Sequence, residues 1–182
     1  MISMNEQNYE FTLKISLPNA NDDPETYVES LLQAGCTDAL IGVGKRGRMA
    51  LDFNRSAESA AYAIISALED VFRAIPHARL IEAGPDLVGI SEAAEIAGFT
   101  RQNMRELMLA DPLTAPNPVH ESASGLYHLA KVLTWLRDKK RRSVDEKVLE
   151  VAFWTMKLNI AKEVNELPNQ KVDDKLLAAL AT

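Results

Sequence analysis

The chain has 182 residues, of which 47% are apolar and 25% charged, and its formal net charge is −6. This composition is typical of a folded globular protein and excludes a disordered chain, while the length allows one domain or two small ones. No apolar run reaches the roughly 18 residues that a membrane-spanning helix needs, and the N-terminal segment lacks the basic and apolar regions of an export signal. The one cysteine, Cys36, excludes an internal disulfide framework and a multi-cysteine metal site. We therefore expect a cytoplasmic protein.

The charge is distributed unevenly along the chain. Residues 1–84 carry 7 basic and 12 acidic residues, residues 85–142 carry 8 and 7, and residues 143–182 carry 5 and 7. Five of the bases in the middle segment lie between Arg137 and Arg142. Because a DNA-binding surface needs local positive charge rather than a basic total, the acidic whole-chain charge does not exclude nucleic-acid binding by residues 85–142.

Residues 1–84 have the pattern of an α+β domain. Tyr9, Phe11, Leu13, Ile15 and Leu17 alternate with polar residues, which predicts a strand with one buried face. Helix and strand signals then continue in chain order: strands at 9–17, 39–43, 49–53 and 78–81, and helices at 24–34 and 57–75. The first helix is predicted to be capped by Asp23 and the second by Ser56. The order βαββαβ predicts a ferredoxin-like domain with both helices on one face of a four-stranded sheet.

This fold alone assigns no function, because it serves dimerisation, ligand sensing and RNA binding alike. RNA-binding sheets present aromatic residues on their open face, but Tyr9 and Phe11 share the apolar face, which disfavours that role. Lys45, Arg46 and Arg48 at the predicted hairpin turn are interpreted as a solvated loop tip rather than a phosphate site. The domain carries an acidic excess that suits a protein partner, and ligand sensing remains open, although no pocket residues can be named.

Residues 90–107 predict two short helices joined by a tight turn. Ser91 is a candidate cap for the first helix, and Gly98 permits the positive φ that ends it. Alanines at positions 93, 94 and 97 allow the second helix to cross closely, and Thr100 is the predicted cap of that helix. This pattern is typical of a DNA-binding helix-turn-helix.

The second helix carries side chains that suit base recognition. Arg101 and Arg105 are four residues apart and share a face, with Gln102 and Asn103 beside them. Arginine pairs with guanine in the major groove, and glutamine or asparagine pairs with adenine. These residues lie at the start of the helix, which is the end that normally contacts base edges.

Residues 87–138, from Leu-Val-Gly-Ile-Ser-Glu-Ala-Ala-Glu-Ile-Ala-Gly-Phe-Thr-Arg-Gln-Asn-Met to Leu-Tyr-His-Leu-Ala-Lys-Val-Leu-Thr-Trp-Leu, resemble the winged helix-turn-helix of MerR and AlpA (excisionase-like) regulators. The resemblance implies that Thr100, Arg101, Gln102, Asn103 and Arg105 enter the major groove. It also implies a wing in which residues 119–120 pair with 126–128, followed by a helix at 128–139. The chain differs from that family in carrying an acid in its wing tip, Glu121–Gly125, and in placing a β-rich domain before the helix-turn-helix rather than a coiled coil after it.

The remaining predicted DNA contacts lie beyond the wing. Lys139 and Lys140 belong to the basic run and are candidates for phosphate contact. Residues 143–182 follow as a helical segment, in which Ser143 starts a capping box for a helix that continues to about Asn165. This helix has too many apolar residues for one narrow stripe, so it either packs between the two domains or forms a dimer interface. A short helix, 175–180, is predicted after Asp173 and Asp174.

No enzyme signature is present. The sequence contains no HExxH, phosphate-loop or GxSxG motif. His120 and His128 can face each other across the wing, but two imidazoles without a further ligand make a poor metal site, and Cys36 is interpreted as a buried residue. We expect no cofactor and no membrane contact.

The sequence thus predicts a homodimeric, DNA-binding transcriptional regulator with domains at 1–84, 85–142 and 143–182. The alternative is a protein-interaction adaptor or antitoxin-like subunit whose helix-turn-helix is secondary.

Overall fold

The computed structural model describes residues 6–121, 125–168, 172 and 174–180 and shows a mixed α+β architecture, as predicted. The strands are β1 (Gln7–Ser16), β2 (Ala39–Lys45), β3 (Arg48–Ala57), β4 (Arg79–Gly84), β5 (Leu87–Val88) and β6 (Tyr127–His128). The helices are α1 (Val28–Gln33), α2 (Ala60–Ala74), α3 (Ile90–Ile96), α4 (Arg101–Leu109), α5 (Leu129–Asp138), α6 (Glu146–Glu166) and α7 (Asp174–Leu180), and a 3₁₀ turn, Pro24–Tyr27, precedes α1. Of the predicted wing tip, residues 122–124 lie outside the described residues, as does the predicted helix start at Asp173.

Strands β1 to β4 form one antiparallel sheet in the order β2-β3-β1-β4. The predicted alternation in β1 is confirmed, since Tyr9, Phe11, Leu13 and Ile15 are all buried. Their side chains join those of α1 and α2 in a first hydrophobic core, in which the rings of Phe11 and Phe53 stack with centroids 5.2 Å apart. This cluster is called the sheet core below.

Helix α2 starts three residues later than predicted. Ser59, not Ser56, is the N-cap, and its hydroxyl accepts a hydrogen bond from the Tyr62 N–H. Ser56 and Ala57 instead continue β3, where Ala57 pairs with Gln7 of β1. Pairing across the sheet therefore outweighs the local capping signal at Ser56.

Helices α3, α4 and α5 form a second hydrophobic core, called the helical core below. Gly98 has φ +72° in the turn between α3 and α4, as predicted, and the Phe99 N–H donates to Ala94 O at 2.7 Å. The predicted cap at Ser91 is wrong, because α3 begins at Ile90 after Gly89, and no side chain caps it. Thr100 is confirmed as the cap of α4.

Helix α6 packs against both cores. Val151 and Leu158 contact the sheet core, whereas Leu149 and Ala152 belong to the helical core. Of the two interpretations that the sequence left open for this helix, the structure shows packing between the two halves. Its predicted cap at Ser143 is wrong, since Asp145 accepts hydrogen bonds from the next turn.

The same helix also binds the connection between the two halves. The Thr155 hydroxyl donates to Pro85 O at 2.6 Å. The Asn159 side-chain amide exchanges two hydrogen bonds of 2.8 Å with the main chain of Ala83, and Lys162 Nζ donates to Ile81 O at 2.9 Å. These bonds satisfy main-chain donors and acceptors at the outer edge of β4. The strand continues to Gly84, three residues past its predicted end.

Candidate nucleic-acid interface

Helix α4 buries one side and exposes the predicted contact residues. Met104 and Met108 are buried in the helical core, so the opposite faces of the helix are open to solvent. Thr100 takes an extended conformation, and its hydroxyl accepts a hydrogen bond from the Asn103 N–H at 3.2 Å. The residues of this region that the sequence predicted to contact DNA are all exposed: Thr100, Arg101, Gln102, Asn103 and Arg105.

Arg101 and Arg105 line the same cleft, which has a volume of about 560 Å³. Glu121, Gly125 and Tyr127 line the same cleft. They belong to the segments 119–121 and 125–128, the described parts of what is called the hairpin 119–128 below. The remaining lining residues of the cleft are Gly89, Ile90, Ser91, Glu92 and Pro118. Within the described part of the chain neither arginine forms an ion pair or a hydrogen bond, so both guanidinium groups can bind a ligand without breaking a bond.

Gln102 is held by a residue that the sequence reasoning missed. Its amide nitrogen donates to the Glu106 carboxylate at 2.9 Å, one helical turn away. The four-residue spacing of Gln102 and Glu106 was a usable signal for this contact. Because Glu106 occupies a donor of the Gln102 amide, it fixes how Gln102 presents its remaining groups.

The two predicted phosphate contacts, Lys139 and Lys140, differ in the structure. Lys139 is exposed, but Lys140 Nζ donates to the Asp111 carboxylate at 2.8 Å and lies 5.2 Å from the centroid of the Trp135 ring. The bond from Lys140, together with one from the Thr114 hydroxyl, lowers the pKa of Asp111. Lys140 therefore connects the loop after α4 to the end of α5. Its positive charge stabilises the fold through the ion pair with Asp111.

Another basic residue of the run Arg137–Arg142 lies near the start of α4. The guanidinium carbon of Arg142 is 5.9 Å from the centroid of the Phe99 ring, which comes directly before the cap of α4. Arg142 is exposed, so this cation–π contact places a positive charge near the N-terminal end of α4. The sequence showed the basic run but not which member of it returns to the turn.

The hairpin 119–128 is anchored at its base. His120 and Leu126 form the predicted antiparallel bridge, while Tyr127 and His128 pair with β5, a strand that the sequence did not predict. His128 Nδ1 is 2.6 Å from the buried Asp86 carboxylate, whose other oxygen accepts a bond of 2.8 Å from Asn159. The hairpin is thereby connected to α6 through Asp86.

The remaining candidate residues are dispersed. His120 and His128 have different strand partners, and no group of three or more metal-ligating side chains occurs among the residues that the structure describes. Cys36 is fully buried, and burial together with Asp70 raises its pKa to about 11. Arg46, at the β2–β3 turn, donates to Asn21 O at 3.0 Å.

No protein-family model, curated protein or solved structure matches the chain. The resemblance of residues 87–138 to MerR and AlpA regulators thus stays a prediction. None of the described helices combines the length and apolarity required to cross a membrane.

Proposed function

We propose that this protein is a sequence-specific DNA-binding regulator of the cytoplasm in which α4 lies in the major groove. The observation that carries the proposal is the pair Arg101 and Arg105, exposed side by side on one cleft while the opposite side of α4 is buried. An arginine pairs with both acceptors of guanine through its fork of N–H donors. The two arginines are one helical turn apart, a spacing that allows contact with neighbouring base pairs.

Two features of the fold support a winged helix-turn-helix of the MerR kind. Helices α3 and α4 are joined by a turn at Gly98 and share the helical core with α5. Residues of the hairpin 119–128 line the same cleft as Arg101 and Arg105, which supports the proposal that this hairpin is a wing. The sheet order β2-β3-β1-β4, with α1 and α2 in one core, likewise supports a ferredoxin-like N-terminal domain.

The contacts divide into base-reading and phosphate-binding groups. Arg101, Gln102, Asn103 and Arg105 read bases from the first two turns of α4. Arg142, which lies over Phe99, holds a phosphate near the start of α4, and the exposed Lys139 holds another. Lys140 is removed from the second group, because its ammonium is occupied by Asp111.

The test begins with selection of bound duplexes from a random library by the full chain. The enriched sequence and a scrambled duplex are then titrated at two salt concentrations with the parent, Arg101→Ala and Arg105→Ala. Each variant should lose about 1–3 kcal/mol of discrimination at one base pair. Arg142→Ala should weaken both duplexes alike and reduce the salt slope by about one unit.

Arg79→Ala is the matched control, since Arg79 is an exposed arginine of β4 and its loss should leave both affinities unchanged. If the library gives no enriched sequence, or if both α4 variants discriminate like the parent, α4 does not read DNA.

A protein-binding role is the second candidate, and the charge of the cleft favours it. Glu92 and Glu121 line the cleft together with the two arginines, so the cleft is electrically balanced and suits a partner with both charges. Glu121→Gln distinguishes the two functions. Removing this carboxylate should strengthen binding to DNA phosphate, whereas it should weaken binding to a partner that pairs with Glu121.

A further inference from the structure

The two edges of the four-stranded sheet differ in whether their outer main-chain groups form hydrogen bonds. At the β4 edge, Asn159 and Lys162 of α6 bind the main-chain groups of Ala83 and Ile81. At the β2 edge, the strand pairs with β3 on its inner side, and among the described residues no other element forms a main-chain hydrogen bond to Ala39–Lys45. An open edge of this kind is a template for another strand.

The composition of β2 does not block such pairing. Natural edge strands are commonly protected by charged residues or proline, but β2 contains no proline, and its one charged residue is Lys45 at its end. Leu40 is 75% exposed, an unusual position for a leucine in a strand. The strand pairs regularly with β3 from Ala39 to Gly42, before the irregularity that precedes Lys45. This regular segment is long enough to offer a short ladder.

The surface next to this edge is shaped to receive an apolar side chain. A shallow depression of about 310 Å³ begins at Gly42 and Gly44 of β2 and extends across the sheet as far as Ile81 of β4. The cations Lys14, Lys45 and Arg48 also line it. No atom lies within 4 Å of the point where a Cβ of Gly44 would be. Leu40 is two residues from Gly42 on the same strand, so both lie on the same face of the sheet. The exposed Leu40 side chain is therefore next to the depression that begins at Gly42.

We propose that β2 is a homodimerisation edge, at which two copies of this chain pair their β2 strands antiparallel. With Ile41 near the two-fold axis, Leu40 of each copy lies opposite Gly42 of the other and covers the end of the depression that is formed by β2. An antiparallel pair of identical strands closes on itself and leaves neither edge open. It also places the two Lys45 residues at opposite ends of the ladder, whereas a parallel pair would put them together.

This inference goes beyond the proposed function and does not depend on it, because the dimer needs no DNA. It assigns the predicted homodimer to a different surface from α6, whose apolar residues are largely used by the two cores. If DNA is also the ligand, the two-fold axis at β2 supplies the symmetry for reading paired half-sites.

The experiment is sedimentation equilibrium of the full chain without DNA, at concentrations up to the order of tens of micromolar. The variants are Leu40→Lys, Leu40→Glu and an equal mixture of both, with Ile160→Lys as the control. Ile160 is an exposed apolar residue of α6, 48% accessible. In the proposed pairing the two residues at position 40 are diagonal neighbours, about 7–8 Å apart.

We expect the parent and Ile160→Lys to be dimers. Leu40→Lys and Leu40→Glu alone should each dissociate at least about tenfold more readily, because like charges meet across the strands. The mixture should recover the dimer, a result that misfolded variants could not give. A monomeric parent, dimeric single Leu40 variants, a mixture that stays monomeric, or a monomeric Ile160→Lys would each overturn the proposal.

Discussion

The sheet half and the helical half of this molecule use arginine in opposite ways. Arg55 of β3 has a side chain that is 9% exposed, and it forms ion pairs with Asp38 at 2.7 Å and Asp70 at 2.9 Å. Arg101 and Arg105 of α4 are exposed and, within the described residues, have no such partner. The same residue type is thus a part of the fold in one half and an available ligand-binding group in the other.

The largest expected effect separates these two classes of arginine. Arg55→Ala should lower the free energy of unfolding by about 3–5 kcal/mol, because Asp38 and Asp70 would be left without their buried cation. Arg101→Ala should change it by less than about 0.5 kcal/mol, as is usual at the surface. Urea unfolding of the two variants and the parent measures both values. Comparable losses would show that the contrast between the halves does not hold.

A second prediction concerns the connection between the halves. Asn159→Ala removes three hydrogen bonds, two to Ala83 and one to Asp86. Since an unsatisfied buried polar group costs about 1–3 kcal/mol, we expect a loss of about 3 kcal/mol. Amide hydrogen exchange should show faster opening at β4 and at the hairpin 119–128 together. Asn165→Ala, at an exposed site on the same helix, is the control and should leave exchange unchanged.

A smaller effect is expected at the cap of α4. Thr100→Ala removes the hydroxyl that accepts from the Asn103 N–H and should lower the free energy of unfolding by about 1 kcal/mol. Thr100→Ser keeps the acceptor and should restore most of that loss. If Thr100→Ala is as stable as the parent, the cap does not contribute to the stability of α4.

The smallest effect is a pH dependence at the loop after α4. The hydrogen bond from Lys140 holds the pKa of Asp111 below its usual value. A carboxyl group with a lowered folded-state pKa stabilises the fold above its ordinary pKa, and this contribution is lost as the pH falls through the folded-state pKa. Lys140→Ala should therefore raise the pKa of Asp111 towards the ordinary value, as measured by NMR titration. The pKa of Asp138, which Arg137 lowers, should stay the same in this variant.

The sequence predicted elements well where one residue decides the local conformation. Thr100 caps α4 and Gly98 takes the positive φ, because few other residue types satisfy those positions. The exposure of Arg101 and Arg105 was likewise predictable, since the apolar residues of α4 define its buried side. Both features depend on contacts within a few residues along the chain.

Predictions were wrong or absent where distant segments compete for the same residues. Ser56 has the chemistry of a cap but pairs with Asn8 in the sheet. The use of Lys140 depends on Asp111, 29 residues earlier, and the position of His128 depends on Asp86, 42 residues earlier. No pattern in a single sequence reports such pairings, because they follow from how the elements pack.

The position of α6 between the two cores has a consequence for the order in which the chain matures during synthesis. The sheet strands and α3 to α5 leave the ribosome before α6. Until α6 has been made, each core lacks the apolar side chains that α6 packs against it. A chain interrupted before residue 146 would expose apolar surface in both halves at once, the condition in which nascent proteins recruit chaperones or aggregate. Synthesis of α6 completes the two halves together, so the surface around α4 gains its final support only after residue 166 has been made.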